Sequence, residues 1–268
     1  MKPRFSILPV LYLAFLLIPI YWLLTMSFKT NAEIGGQLTL YPHHPTLASY
    51  RYILSEPSWF WGYVNASAYV LLNGLLCVSV ALPAAYAFSR FQFFAARPLF
   101  FGFLAFRMLS PAILLIPMVQ LFSDLNLIDT YLAVALAHCF FNLPIAIWIL
   151  EGFISSVPRE LDELAQIEGY SFSRFFRKIL IPEIAPGLAV TVFFCFMFSW
   201  TEVILSNALT TIYAKPIGAI MSRVSSVFVA NVAMLSAAGV LTLIPGILVV
   251  ILVRKHLARG FSLGRVDL

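Results

Sequence analysis

The chain has 268 residues, of which 61% are hydrophobic and only 11% charged, with a net charge of +5 and a mean hydropathy of +0.93. A soluble domain averages about 25% charged residues, so this chain cannot coat a water-facing surface and must be solvated by lipid. At about 20 residues per crossing, six spans and their loops use the whole length, and no separate soluble domain of ordinary size fits.

Lys2 and Arg4 precede an apolar stretch that predicts a first span over about Ser6 to Met26. That stretch exceeds the 7–15 apolar residues of a signal peptide, so it reads as a retained span. His43 and His44 follow in the first loop between Pro42 and Pro45, without the further ligands a metal would need. The second span is expected over about Tyr63 to Phe88, the third over Leu99 to Leu121 and the fourth over Leu132 to Phe153. A charged island follows, then a fifth span over about Ile184 to Asn207 and a sixth over Met234 to Val253. Prolines 83, 111, 117, 144 and 245 fall inside these spans, which membrane helices tolerate where neighbours or cavity water satisfy the freed backbone groups.

Basic residues set the expected orientation. With both termini inside, the inner face carries Lys2, Arg4, Arg90, Arg97, Arg159, Arg174, Arg177, Lys178, Arg254, Lys255, Arg259 and Arg265. The outer loops carry Lys29, Arg51, Lys215 and Arg223, so the count is twelve against four. Topology thus accounts for the positive charge, and nucleic acid is not needed as a partner. Cys77, Cys139 and Cys195 lie within spans without metal-ligand spacing and read as small packing residues. No phosphate-binding loop, nucleophile elbow or catalytic carboxylate pair is present, so no enzyme active site, metal or cofactor is expected. ATP, if used, would bind another subunit.

The island runs from Pro158 to Pro186. Pro158 suits a first helical turn, and Glu160, Asp162 and Glu163 sit at the positive end of the helix dipole. Leu161, Leu164 and Ala165 form a narrow apolar stripe, and Gly169 stands where a left-handed residue would end the helix. Ser171 is placed to cap a second helix whose Phe172, Phe175, Phe176 and Ile179 repeat at helical spacing. Arg174, Arg177 and Lys178 occupy its other face, and Pro182 closes it. Lipid rewards nothing in such a pair, so the island is expected to touch a soluble partner.

Glu163-Leu164-Ala165-Gln166-Ile167-Glu168-Gly169 resembles the E-A-A, three residues, G signature in the cytoplasmic loop of binding-protein-dependent ABC importer permeases. Leu164 replaces the first Ala and Glu168 the usual Asp, while Ile181-Pro182-Glu183-Ile184-Ala185-Pro186 matches the proline-rich tail of that signature. Leu127-Ile128-Asp129-Thr130-Tyr131, Trp200-Thr201-Glu202 and Arg259-Gly260-Phe261-Ser262-Leu263-Gly264 are similar to stretches of the carbohydrate-type members, the group of the smaller maltose-importer permease. The ending Arg265-Val266-Asp267-Leu268 departs from the Lys-Gly more usual there.

The resemblance implies an all-α membrane fold of six transmembrane helices, with a cytoplasmic coupling loop over residues 158–186 between spans four and five of one permease domain, 1–268. The expected partners are a dimer of ATPase subunits, a second and different permease, and a solute-binding protein that delivers a sugar or polyol. Glu163 would pair with a basic group of the ATPase, Ala165 would permit close approach and Gly169 would make the turn. Asn142, Trp200 and Glu202 are candidates for the substrate pathway, because hydroxyl-rich solutes are held by amides and carboxylates against an aromatic platform. Arg107, inside span three, reads either as a solute contact or as a structural tie. Two alternatives stay open: a permease for another polar solute such as glycerol or a glycerophosphate, and a secondary transporter or channel without an ATPase.

Overall fold

A computed structural model describes residues 7–36, 38–225 and 231–262, with side chains described to residue 256. Lys2, Arg4, the side chain of Arg259 and the tail from Leu263 to Leu268 lie outside the described residues. In chain order the first helices are α1 (Ile7–Ser27), α2 (Asn31–Ile34), α3 (Ala48–Ser55), α4 (Pro57–Arg90), α5 (Ala96–Arg107), α6 (Leu115–Asp124) and α7 (Tyr131–Ser155). They continue with α8 (Glu160–Ile167), α9 (Phe172–Phe175), α10 (Ile181–Glu183), α11 (Ala185–Thr201), α12 (Ile204–Leu209), α13 (Ile217–Ser225) and α14 (Val232–Ser262). Among the described residues there is no strand.

Among the described residues four helices are long and apolar enough to cross a membrane, α1, α4, α7 and α14, or five when α9–α10 and α11, bent by 81°, count as one crossing. Two of the expected spans are interrupted. The third is α5 and α6 with irregular backbone between them, because Ser110 precedes Pro111, which disfavours helix before it and supplies no N–H within it. The fifth ends at Thr201, where Glu202 turns extended with φ −75° and ψ 121°.

The chain divides into two compact units, one of Met1–Trp61 with Ala219–Ile247 and one of Gly62–Gly218 with Leu248–Leu268. In the first, the N-terminus of α14 is capped by two asparagines: Asn31 Oδ1 accepts from Ala233 N at 3.1 Å and Asn231 Oδ1 from Met234 N at 2.9 Å. These satisfy donors that a helix start leaves without intrahelical partners. Tyr50 closes this end of α1 by donating to Ser27 Oγ at 2.7 Å.

In the second unit α7 is the axis. Its sequence is apolar apart from a few residues such as the buried His138 and Asn142, and Ala133, Ala135, Ala137 and Ala146 are fully buried. Small residues let membrane helices approach closely enough for dispersion to hold them. A close approach lies at Gly187 of α11, where a Cβ would collide with the ring of Phe153 in α7. At the start of α7, Thr130 accepts from Ala133 N at 3.2 Å as its N-cap.

Candidate functional site

The charged island folds as a helical hairpin against the end of α4. Its first helix, α8, carries Glu160, Asp162 and Glu163 in its first turn, and Gly169 follows at φ +72°. The left-handed turn expected of that glycine is present, and the Tyr170 N–H donates to Ala165 O at 2.9 Å to close it. The second helix departs from expectation. Ser171 takes the cap position without a side-chain hydrogen bond, and α9 widens into a π-helical turn, Phe176–Leu180, that runs on into α10. Pro182 lies within α10 instead of closing the helix, and the missing proline N–H together with its ring accounts for the widened turn before it.

Side chains of α4 tether this hairpin. Arg90 Nη2 lies 3.0 Å from Asp162 Oδ2 and donates to Val157 O at 2.9 Å. Tyr86 Oη donates to Asp162 Oδ1 at 2.7 Å, and Arg159 Nη2 donates back to Ser89 O at 3.1 Å. Tyr86 also meets Phe172, Phe175 and Phe176 edge-on, which ties both halves of the hairpin to one ring. Ala165 is buried in the same core as Leu180 and Ile184, so its small side chain permits close approach to the chain's own helices. Glu163, Leu164 and Ile167 are exposed, and Glu163 makes no ion pair among the described residues. Charge patterning counted Arg90 only as a topological cation; its separation from Asp162 hid the tether.

Two of the candidate pathway residues, Asn142 and Glu202, bond across the same seam between α7 and the end of α11, Asn142 to Ser199 and Glu202 to His138. Asn142 is fully buried: its amide donates to Asn73 Oδ1 at 2.9 Å, Cys195 O at 3.3 Å and Ser199 Oγ at 3.3 Å, joining α4, α7 and α11. Glu202 is also buried, at the junction of α11 and α12. Its carboxylate accepts from Leu205 N at 2.9 Å and Ser206 N at 3.1 Å, capping α12, and lies 3.1 Å from His138 Nε2. Both carboxylate oxygens are thus occupied within the chain. Trp200, half-buried, stacks on Phe196 with centroids 5.7 Å apart. Arg107 ends α5, with its guanidinium carbon 4.7 Å from the Phe198 ring centroid. His138 and Asn142 sit four apart on the buried stripe of α7, a polar pair whose spacing was visible in the sequence.

A second constellation was missed although its motif was noticed. Asp129, at φ +62°, accepts from Thr211 N, Ile212 N, Tyr213 N and Ala214 N, all at 3.0 Å, and from Thr211 Oγ1 at 2.8 Å. Next to it Tyr131 Oη donates to Asn65 Oδ1 at 2.8 Å, while Asn65 Nδ2 donates to Tyr213 O at 2.8 Å and Lys215 O at 3.0 Å. Partial burial would raise the Asp129 carboxyl, but the four backbone N–H groups outweigh it and hold the group well below the usual carboxylate range. The Leu127–Tyr131 stretch is therefore a latch on residues 211–215. It stands at the start of α7, while the charged island follows the end of that helix.

The profile of the binding-protein-dependent transport system inner membrane component matches residues 78–263. The chain belongs to that family: it is a multi-pass, inner-membrane component of an ABC importer. It is 30% identical over 93% of its length, and 91% of the relative's, to a putative ABC transporter permease protein of a Caldicellulosiruptor species. It is 27% identical to the trehalose transport system permease protein SugB of Mycobacterium tuberculosis, covering 97% of this chain and 96% of that one. In fold it matches a chain of a crystal structure of a bacterial ABC transporter involved in the import of the acidic polysaccharide alginate, with a TM-score of 0.80 at 19% identity and 93% of each chain covered.

Proposed function

We propose that this chain is one transmembrane permease domain, half of the translocation pathway of an ATP-driven importer of a sugar or polyol, with residues 158–186 as its cytoplasmic coupling loop. The observation that carries this reading is the tethered hairpin. It is fastened to α4 through Arg90, Tyr86 and Asp162, yet turns Glu163, Leu164 and Ile167 outward. A helix pinned behind and open in front transmits a push on its exposed face to the span that pins it. Glu163 pairs with a basic group of the ATPase, Gly169 sets the angle of the hairpin, and Ala165 seats α8 close to α4. A secondary transporter has no use for such a fixture.

The saccharide assignment is supported by relatives named for trehalose, diacetylchitobiose and galactooligosaccharides, each matched over more than nine-tenths of this chain. A second, different permease completes the pathway, a dimer of ATPase subunits docks on the coupling loops, and a binding protein delivers the solute. Six crossings are counted with the interrupted third, and both termini are cytoplasmic. The test is reconstitution of the complex encoded with this chain in proteoliposomes. ATP-dependent uptake of saccharide and co-elution of an ATPase are expected. Uptake that persists without the ATPase would make the chain a secondary transporter.

A further inference from the structure

The interruption in the third crossing and the arginine beside it define a place in the membrane. Arg107 is the last residue of α5, eleven residues from its start at Ala96, so it stands about 17 Å from the end that carries the coupling loop. That is close to the middle of a hydrocarbon core of about 30 Å. The backbone from Met108 to Leu114 is not part of an α-helix, and α6 follows it, so that α5 and α6 together make the third crossing of the importer reading. Irregular backbone is stable at that depth only where it is covered by protein or lines water. Met108, Leu109 and Ile113 are exposed on this chain, so its own helices do not cover the break.

Arg107 is equally unprovided for. No carboxylate pairs with it among the described residues, and its buried Nε has no hydrogen-bond partner. Glu202, the acid of the neighbouring helix junction, is already committed to His138 and the start of α12. The guanidinium rests on the Phe198 face, and Phe106 beside it packs on Phe140 and Phe141 of α7, with centroids 4.7 and 6.2 Å away. This holds the cation in place without neutralising it. A charge at mid-membrane is costly unless something of opposite sign meets it. Interrupted helices at mid-membrane recur at transporter solute sites.

We infer that Arg107, at the break between α5 and α6, binds an anionic group of the transported solute, so that the cargo is an acidic saccharide bearing a carboxylate, sulfonate or phosphate. The planar fork of donors suits such a group, and the aromatic floor suits the sugar ring behind it. The inference rests on the importer reading above and narrows its substrate class.

The test uses the complete complex with its own binding protein in proteoliposomes, offered radiolabelled short oligouronates, sulfonated and phosphorylated disaccharides, and neutral oligoglucans and chito-oligosaccharides. The expected result is uptake of one of the acidic classes. Arg107→Gln then lowers that uptake about tenfold to a hundredfold, the effect of losing a hydrogen bond to a charged group, while Arg107→Lys retains the larger part. Co-elution of all subunits is unchanged in both variants. Uptake of neutral saccharides alone overturns the inference and leaves the importer reading standing; uptake of no saccharide overturns the inference together with the saccharide assignment. Acidic uptake that Arg107→Gln leaves intact, or a variant complex that falls apart, makes Arg107 a tie between subunits and overturns the inference.

Discussion

Asp129 and Thr211 are joined twice across 82 positions, through the Thr211 N–H at 3.0 Å and its hydroxyl at 2.8 Å. With Ile212, Tyr213 and Ala214 also donating, one carboxylate fixes four consecutive residues, and the Ile212 and Tyr213 side chains project with 77% and 81% of their surface exposed. Because the folded carboxyl sits below its unfolded value of about 3.9, the stabilisation is complete above that pH and is lost as pH falls through the folded value. Hydrogen exchange at 211–214 should therefore stay slow from neutral pH down to about 4 and quicken only in stronger acid. Asp129→Asn should exchange fast already at neutral pH; equal protection in both proteins would remove the latch.

Asp162 is the hub of the hairpin tether. Asp162→Ala leaves Arg90 and Tyr86 without their partner and should cost about 1.5–3 kcal/mol, whereas Tyr86→Phe loses one hydrogen bond and should cost about 0.5–1.5 kcal/mol. Thermal unfolding in detergent reads both. If α8 is the coupling helix proposed above, the alanine variant should also uncouple ATP hydrolysis from uptake, since α8 is no longer tied to α4.

Gly169 offers a clean backbone experiment, because a Cβ added there meets nothing within 4 Å. The penalty for Gly169→Val is conformational only, about 1–2 kcal/mol, and Gly169→Asn should be milder because asparagine tolerates left-handed backbone. ATPase association should follow that order. Glu163→Lys, at an exposed position, should leave unfolding within about 0.5 kcal/mol of wild type yet weaken association. Normal association in both Gly169→Val and Glu163→Lys would relocate the docking surface.

Glu202→Ala separates two roles for that carboxylate. Breaking the buried contact with His138 and uncapping α12 should cost about 3–5 kcal/mol, seen as a lower unfolding midpoint. An unchanged midpoint with reduced uptake would return Glu202 to the solute pathway.

Gly187→Ala tests the helix seam. The added methyl meets the Phe153 ring directly and should destabilise the protein by about 1–3 kcal/mol. Adding Phe153→Leu should restore part of the loss, because the shorter side chain vacates that space; no recovery would mean that α7 and α11 do not touch there.

Much of this protein is one-dimensional. Lipid solvation, four of the crossings and the glycine-turned hairpin follow from local composition and spacing, because hydrophobic length, helix start signals and the left-handed preference of glycine act within a few residues of one another. The breaks within the expected third and fifth spans were half-visible: Pro111 stood in plain view, but prolines at 83, 144 and 245 leave their helices continuous, so proline alone does not say which helix fails. What the tertiary structure decided is every role that depends on a partner far along the chain. Asn142 and Glu202 have the chemistry of solute ligands, yet Asn73, Cys195 and Ser199 take the Asn142 amide N–H groups, and His138 and the α12 backbone take both Glu202 oxygens. Arg90 was one cation among twelve until Asp162 was found beside it, and Asp129 was a motif letter until residues 211–214 closed around its carboxylate. Side-chain type is local, whereas the supply of hydrogen-bond partners in a medium without water is set by which helices pack together.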